Sequence, residues 1–277
     1  MKDQLTISVV GCGWLGLPLA EALIINGYRI KGSTTSSEKI DLLRSKGIDP
    51  YLVHFNSVSN VEASQLLDCD ILIINIPPGS RTADGPANYR RMADFFTKII
   101  PTTRINKIIL LSSTSVYSES NDTVCESDRP EPDTPGGNLL LEVEDQFLSI
   151  PDKKVIVLRA SGLIGPQRHP SRFFKNKTGI PNGLAPVNLI HRDDVIGIIL
   201  SLIADQHAAG IYNACSVEHP SKQDFYGLAA KVTKNAIPQF VSEKLSWKII
   251  SSIRVSQELN YSFIYPDLSN WLKDDKS

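Results

Sequence analysis

The stretch LTISVVGCGWLGLPLA, residues 5–20, decides how the chain folds. A β-rich apolar run (Leu5, Ile7, Val9, Val10) leads directly into Gly11-Cys12-Gly13-Trp14-Leu15-Gly16, and Leu15, Leu19, Ala22 and Leu23 follow at helical spacing. Strand, glycine turn, helix is the context in which a G-x-G-x-x-G spacing carries a mechanism. Gly11 permits the tight turn, Gly13 lets the backbone approach a pyrophosphate, and Gly16 lets helix and strand pack closely. The start of the helix, at Trp14 and Leu15, then offers N–H groups and a positive dipole end to a phosphate. The competing reading is a glycine-rich turn with no ligand.

Working outward, the 277 residues suffice for a sizeable core, and 29 Lys+Arg balance 30 Asp+Glu to a net charge of −1. No basic footprint recommends nucleic acid or an anionic membrane as partner. The run Val195–Ala204 is interrupted by Gly197 and Ser201 and is too short to span a bilayer. The N-terminus, with Asp3 and an immediate strand, does not read as a signal peptide. Cys12, Cys69, Cys125 and Cys215 lie far apart without C-x-x-C spacing, which suits reduced thiols in a cytoplasmic protein and no metal site.

After the first helix, Asn26-Gly27 is a stop signal and Tyr28–Thr34 reads as the second strand. In dinucleotide-binding folds an acid at this strand end favours a free ribose 2′-hydroxyl. Here the tip is Gly32-Ser33-Thr34-Thr35-Ser36-Ser37, with Lys39 close by and no carboxylate. Small hydroxyls and a lysine suit a 2′-phosphate, so the expected cofactor is NADP, with NAD as the alternative. Ser36 or Ser37 can also N-cap the next helix, Glu38–Lys46. Pro50–His54 is a third strand, and the almost continuously apolar Asp70–Ile76 a central one. It stops at Pro77-Pro78-Gly79, which makes Asn75, Ile76, Pro77 and Pro78 cofactor neighbours or a simple turn. A helix over Tyr89–Ile100 and a strand over Ile105–Leu111 follow, and the latter runs into Ser112-Ser113-Thr114-Ser115-Val116-Tyr117. The alternation predicts an α/β fold with a Rossmann-type doubly wound parallel sheet.

The glycine loop, the strand ending Ile76-Pro77-Pro78, and SSTSVY together resemble the extended branch of the short-chain dehydrogenase/reductase superfamily, the NAD-dependent epimerase/dehydratase family. Further matches are Glu126-Ser127-Asp128 before Pro130, Pro132 and Pro135, then LRASGLIGP (158–166), NLIHRDDV (188–195), IYNA (211–214) and Tyr265-Pro266-Asp267. The glycine spacing departs from the TGxxGxxG of typical extended members and looks like an atypical subgroup. The resemblance implies a cofactor-binding contact at Ser112, and a serine at Ser113 that orients a substrate oxygen. It also implies a homodimer through helices near 84–100 and 136–149.

In that family a tyrosine and a lysine in a YxxxK turn assist hydride transfer, the lysine lowering the tyrosine pKa. Taking Glu144 as the acid four residues beyond the lysine, Gly136 and Leu140 stand in their places. Tyr117 is the sole tyrosine between 89 and 212, so no slip of register restores the pair. Substitutes by position are Tyr117, Tyr89, Glu126 and Glu142.

Residues 1–160 therefore read as a dinucleotide-binding domain and 161–277 as a smaller C-terminal substrate lobe, closely integrated and partly interleaved with it. The lobe begins with the basic PQRHPSRFFKNK; the resemblance implies that this part borders a substrate, commonly a nucleotide sugar in the family, whose phosphates Arg168 and Arg172 would meet and on whose ring Phe173 could pack. A solvated loop with a hydrophobic anchor is the alternative. His191 reads as structural, Asp193 as the N-cap of a helix over 194–205, and Ser221 as the cap of one through Lys234. The function expected is an oxidoreductase-type NAD(P)-binding protein acting on a small molecule, or a dinucleotide-binding sensor or assembly subunit without turnover.

Overall fold

The computed structural model describes residues 4–55, 60–79 and 83–274. In chain order it runs β1 (Thr6–Val10), α1 (Gly16–Ile25), β2 (Arg29–Thr34), α2 (Ile40–Ser45), β3 (Asp49–Leu52), α3 (Asn60–Leu67) and β4 (Ile71–Ile74). Then come α4 (Gly85–Ile99), β5 (Lys107–Ser113), β6 (Thr123–Val124), α5 (Pro135–Leu148), β7 (Lys154–Ala160), β8 (Gly162–Ile164) and β9 (Leu189–His191). The chain closes with α6 (Arg192–Ala204), β10 (Gly210–Ala214), α7 (Lys222–Val232), β11 (Ile249–Ile250), α8 (Ile253–Leu259) and α9 (Leu268–Asp274). Two compact units emerge: Met1–Ser112 with Thr134–Leu158 and Leu202–Ile211, and Ser113–Asp133 with Arg159–Ser201 and Tyr212–Ser277.

The first unit is built on a seven-stranded sheet in the order β10-β7-β5-β4-β1-β2-β3. The pairs β1–β2, β1–β4, β2–β3 and β4–β5 are parallel. The order reverses between β1 and β4, the doubly wound arrangement whose crevice lies at the strands' carboxyl ends. Every residue of β1 and β4 is buried, as strands covered on both faces require. Leu15, Leu19 and Leu23 turn inward from α1, joined by Ala20, whereas Ala22 is only half-buried. Each such Leu, Ile or Val contributes about 1.5–3 kcal/mol on full burial. The helix stops as its sequence directs: Gly27 has φ +86°, and its N–H donates to the Ile24 carbonyl at 2.9 Å.

Several boundaries differ from the sequence reading, β3 ending at Leu52 and β5 running on to Ser113 among them. Glu38–Lys46 is not one helix but a 3-10 turn at Ser37–Lys39 followed by α2. Ser36 makes no side-chain cap; its own N–H donates instead to Thr34 Oγ1 at 3.1 Å. The helix expected from Tyr89 begins a turn earlier, at Gly85 with Pro86 in its first turn, where proline's missing N–H costs nothing. One residue went unread: Lys107, buried in β5, donates to the carbonyls of Leu202 at 2.7 Å, Ile203 at 3.3 Å and Asp205 at 2.6 Å. A cation there satisfies carbonyls that a helix end leaves open, and burial lowers its pKa.

The second unit holds two small parallel pairs, β6 with β11 and β8 with β9. Its core gathers Leu189, Phe225, Ala229, Leu268, Trp271 and Leu272, with Phe173 and Phe174 packed against it. Ser221 caps α7 as expected, accepting from Asp224 N–H at 3.2 Å. Asp193 does not cap α6, because the helix already starts at Arg192 and places both Asp193 and Asp194 in its first turn. Asp194 is fully buried and accepts from Tyr261 Oη at 2.9 Å and from the N–H groups of Ile264 at 2.6 Å and Tyr265 at 3.1 Å. That tie fastens the tail of the unit to α6.

Candidate functional site

The first unit opens a cleft of about 580 Å³ above the carboxyl ends of β1, β2, β3 and β4. Its floor is the glycine loop. Gly11 takes φ +100°, and a side chain there would come within 2.7 Å of the Asn75 carbonyl. A Cβ on Gly16 would stand 2.1 Å from the Gly11 carbonyl oxygen, so α1 meets the loop only through glycine. Gly13 is different: a Cβ there meets nothing within 4 Å. Its exposed backbone borders the cleft. Side chains hold the loop from both sides. Gly11 N–H donates to Ser33 Oγ at 3.0 Å, and Asn75 Nδ2 donates to the Gly11 carbonyl at 3.2 Å. Cys12, between the glycines, is buried, and burial pushes its thiol up to about 12. It fills space against Gly32 and is no nucleophile at neutral pH.

Helix α1 begins without a side-chain cap and without an acid in its first turn. Leu17 N–H donates to the Gly13 carbonyl at 3.0 Å and Leu19 N–H to the Leu15 carbonyl at 3.1 Å, so what the helix start offers an anion is chiefly its positive dipole end. At the β2 side the cleft is bordered by Ser33, Thr34, Thr35 and Lys39, and at the β3 end by Val53, His54 and Phe55. Asn75, Ile76 and Pro77 follow β4, and Asn88, Tyr89 and Met92 come from α4. Lys39 and His54 are the basic groups among these, and none of the described lining residues is a carboxylate. Tyr89 is buried with its hydroxyl free of hydrogen-bond partners, and burial together with the Glu144 charge raises its pKa.

The cleft thus gathers Gly11, Gly13, Ser33, Thr34, Thr35, Lys39, Asn75, Ile76 and Pro77 of the cofactor neighbours anticipated from sequence, with Tyr89 of the candidate catalytic substitutes. Leu15 and Gly16 are buried at the root of α1, Trp14 is half-buried beside them, and Pro78 lies in the turn beyond. Ser112 is buried, and its hydroxyl donates to the buried carboxylate of Glu144. Sequence reasoning missed His54, Phe55, Asn88 and Met92. The available signal was positional, since a chain leaving β3 at its carboxyl end borders the crevice.

Helix α5 opens where the sequence places it. Thr134 caps it by accepting from Gly137 N–H at 3.0 Å, and Pro135 is its first residue. Gly136 and Leu140 accordingly fall on its first two turns, with Leu140 only 5% exposed among core side chains. Glu142, one suggested substitute, is held in a bidentate pair by Arg90 at 2.9 and 3.0 Å.

In the second unit Ser113 caps a short turn, accepting from Ser115 N–H at 3.2 Å. Tyr117 is buried and committed on both sides: its hydroxyl donates to Asn213 Oδ1 at 3.1 Å and accepts from the buried Arg159 at 2.7 Å. Burial is the largest influence on its pKa and raises it. Glu126 accepts from Asn213 N–H at 2.9 Å, and burial raises its pKa as well. Arg168 and Arg172 are exposed, whereas Phe173 turns inward, its ring 6.2 Å from that of Tyr226.

A doubly wound sheet with a glycine loop at its switch point defines a Rossmann-type α/β protein, and the fold is that of the short-chain dehydrogenase/reductase superfamily, epimerase/dehydratases included. The chain belongs to the family of protein YeeZ of Escherichia coli K12, to which it is 37% identical over 266 residues, 94% of this chain and 96% of that one. No family model matches it. Among solved structures, a functionally unknown conserved protein from Silicibacter pomeroyi is 24% identical over 98% of this chain and 97% of its own, with a TM-score of 0.76. UDP-glucuronic acid 4-epimerase from Bacillus cereus, solved with UDP-glucuronic acid and NAD, is 19% identical over 97% of each chain, also with a TM-score of 0.76. Among the described residues no helix is long and apolar enough to cross a membrane.

Proposed function

We propose that the cleft of the first unit binds a nicotinamide dinucleotide, with NADP(H) preferred over NAD(H). One observation carries this reading: the glycine loop that leads into α1 borders a cleft that also presents Lys39 and His54 and, among the described residues, no carboxylate. A pyrophosphate suits the open backbone at Gly13 and the positive dipole end of α1, and a 2′-phosphate suits Thr35 and Lys39 at the β2 side. The residues fit the group, since Gly13 leaves open the space a side chain would take. A bound dinucleotide would supply hydride transfer. The chain would supply orientation through the loop and charge through Lys39. The epimerase solved with a sugar nucleotide and NAD supports a polar carbonyl compound or nucleotide sugar as the substrate class.

A second reading, dinucleotide binding without turnover, is favoured by α5. The helix begins on the expected residue and still presents glycine and a buried leucine where the family's acid–base pair would stand. Titration with NADPH and NADH, followed by hydride consumption across nucleotide sugars and ketones, separates the two. Saturable binding with consumption supports an oxidoreductase; binding without it supports the second reading; absence of binding contradicts both.

A further inference from the structure

We infer that Ser33 and Asn75 are positioning residues for the dinucleotide, bracing the Gly11 peptide from the tips of β2 and β4. The inference rests on the dinucleotide reading of the cleft. Gly11 sits at φ +100°, in a region that glycine enters freely and leaves as freely. Left to itself, such a residue would not hold Gly13 in one place. Three contacts remove that freedom. The Gly11 N–H is taken by Ser33 Oγ at 3.0 Å, and the Gly11 carbonyl by Asn75 Nδ2 at 3.2 Å and by Gly13 N–H at 2.8 Å. Ser33 also receives Cys12 N–H on its own carbonyl at 2.8 Å, so its backbone and its side chain both grip the loop.

The brace changes what the β2 tip does. Ser33 occupies the strand end where NAD-specific folds place a ribose-binding acid. Here its oxygen is turned to Gly11 and the residue is only 4% exposed. Ser33 therefore sets the phosphate loop, and discrimination between dinucleotides passes to the exposed Thr35 and Lys39. Asn75 does the matching work from the β4 end.

The test is calorimetric titration of ADP, NADH and NADPH into the full-length chain and its S33A, N75A and S33A/N75A variants, each well below its Tm. Loss of one hydrogen bond predicts that each single variant weakens all three ligands by the same factor, about 3–10-fold. Because both side chains restrain the same residue, Gly11, the double variant should lose less than the product of the two factors. A change in the NADPH-to-NADH ratio of threefold or more in S33A would show that Ser33 reads the ribose, overturning the inference. Unchanged affinities alongside a lowered Tm would make the brace merely structural and overturn it equally. Wild-type chain that binds while the variants bind as well removes the brace alone; wild-type chain that binds no nicotinamide dinucleotide removes the dinucleotide reading, and the brace with it.

Discussion

The glycine cleft and the opening turns of α5 belong to the same unit, and they have been built to different ends. In the cleft, backbone amides, hydroxyls, amide side chains and two basic groups are set into a wall whose greater part is apolar, from Val53, Phe55, Ile76, Pro77 and Met92. At the start of α5, the positions that would carry acid–base chemistry hold Gly136 and a buried Leu140, and the helix serves the core. A binding surface survives on backbone geometry and a few charges, whereas proton transfer needs one tyrosine of tuned pKa and its lysine. The comparison teaches that the residues proposed to hold a dinucleotide and the positions that would use it form separate sets in this chain.

That contrast can be broken most forcefully at Leu140. Truncating a leucine that is 5% exposed should cost about 2–5 kcal/mol of stability in L140A, read from denaturant unfolding, with dinucleotide affinity unchanged in the folded protein. A fall in affinity without loss of stability would place Leu140 in the site. The converse experiment compares two glycines. G16A forces a methyl against the Gly11 carbonyl, and overpacking of this kind costs about 1–3 kcal/mol, so both Tm and binding should fall. G13A meets no protein atom within 4 Å, so it should spare Tm and weaken binding alone.

Lys39 sharpens the cleft's side of the comparison. Removing a charge-assisted contact in K39A should weaken NADPH about tenfold and leave NADH nearly unchanged, by fluorescence titration. Equal weakening of both would remove the NADP preference. Glu126 addresses the second unit through pH. Burial raises its pKa above the ordinary 4.5, so the folded chain holds this proton more tightly than the unfolded one. Stability from this group is therefore present at low pH and lost as pH rises from about 4.5 through the raised value. E126Q cannot ionise and keeps an acceptor for Asn213 N–H, so its Tm should match wild type near pH 4 and exceed it at pH 7.5. The smallest effect belongs to Tyr89. Its buried hydroxyl has no partner, so Y89F should leave Tm unchanged or slightly raised in thermal melts, where a bonded hydroxyl would show a loss.

The parts of the molecule that the sequence made legible are those governed by local patterning. The run ILII of β4 reads as a strand covered on both faces, and Thr134-Pro135 reads as a helix start, because burial and capping act over a few residues. That Gly11, Gly13 and Lys39 border one cleft follows from the same local order of strand, turn and helix. Other features depend on distant partners and leave no local trace. Lys107 looked like a charge inside a strand until the carbonyls at 202–205 supplied its acceptors. Asp193 and Asp194 exchanged importance because the groups that claim Asp194 lie some 70 residues on, at Ile264 and Tyr265. Phe173 could be read as a stacking platform or an anchor, and only the position of Tyr226 decides where its ring goes.

The account rests on the cleft as a dinucleotide site that favours a 2′-phosphate. Its most direct test is a fluorescence titration of NADPH against the wild-type chain, with NADH in parallel. Saturable enhancement with both, and tighter binding of NADPH, is the result expected from the loop, the uncapped α1 and Lys39. A flat response to both dinucleotides would contradict it.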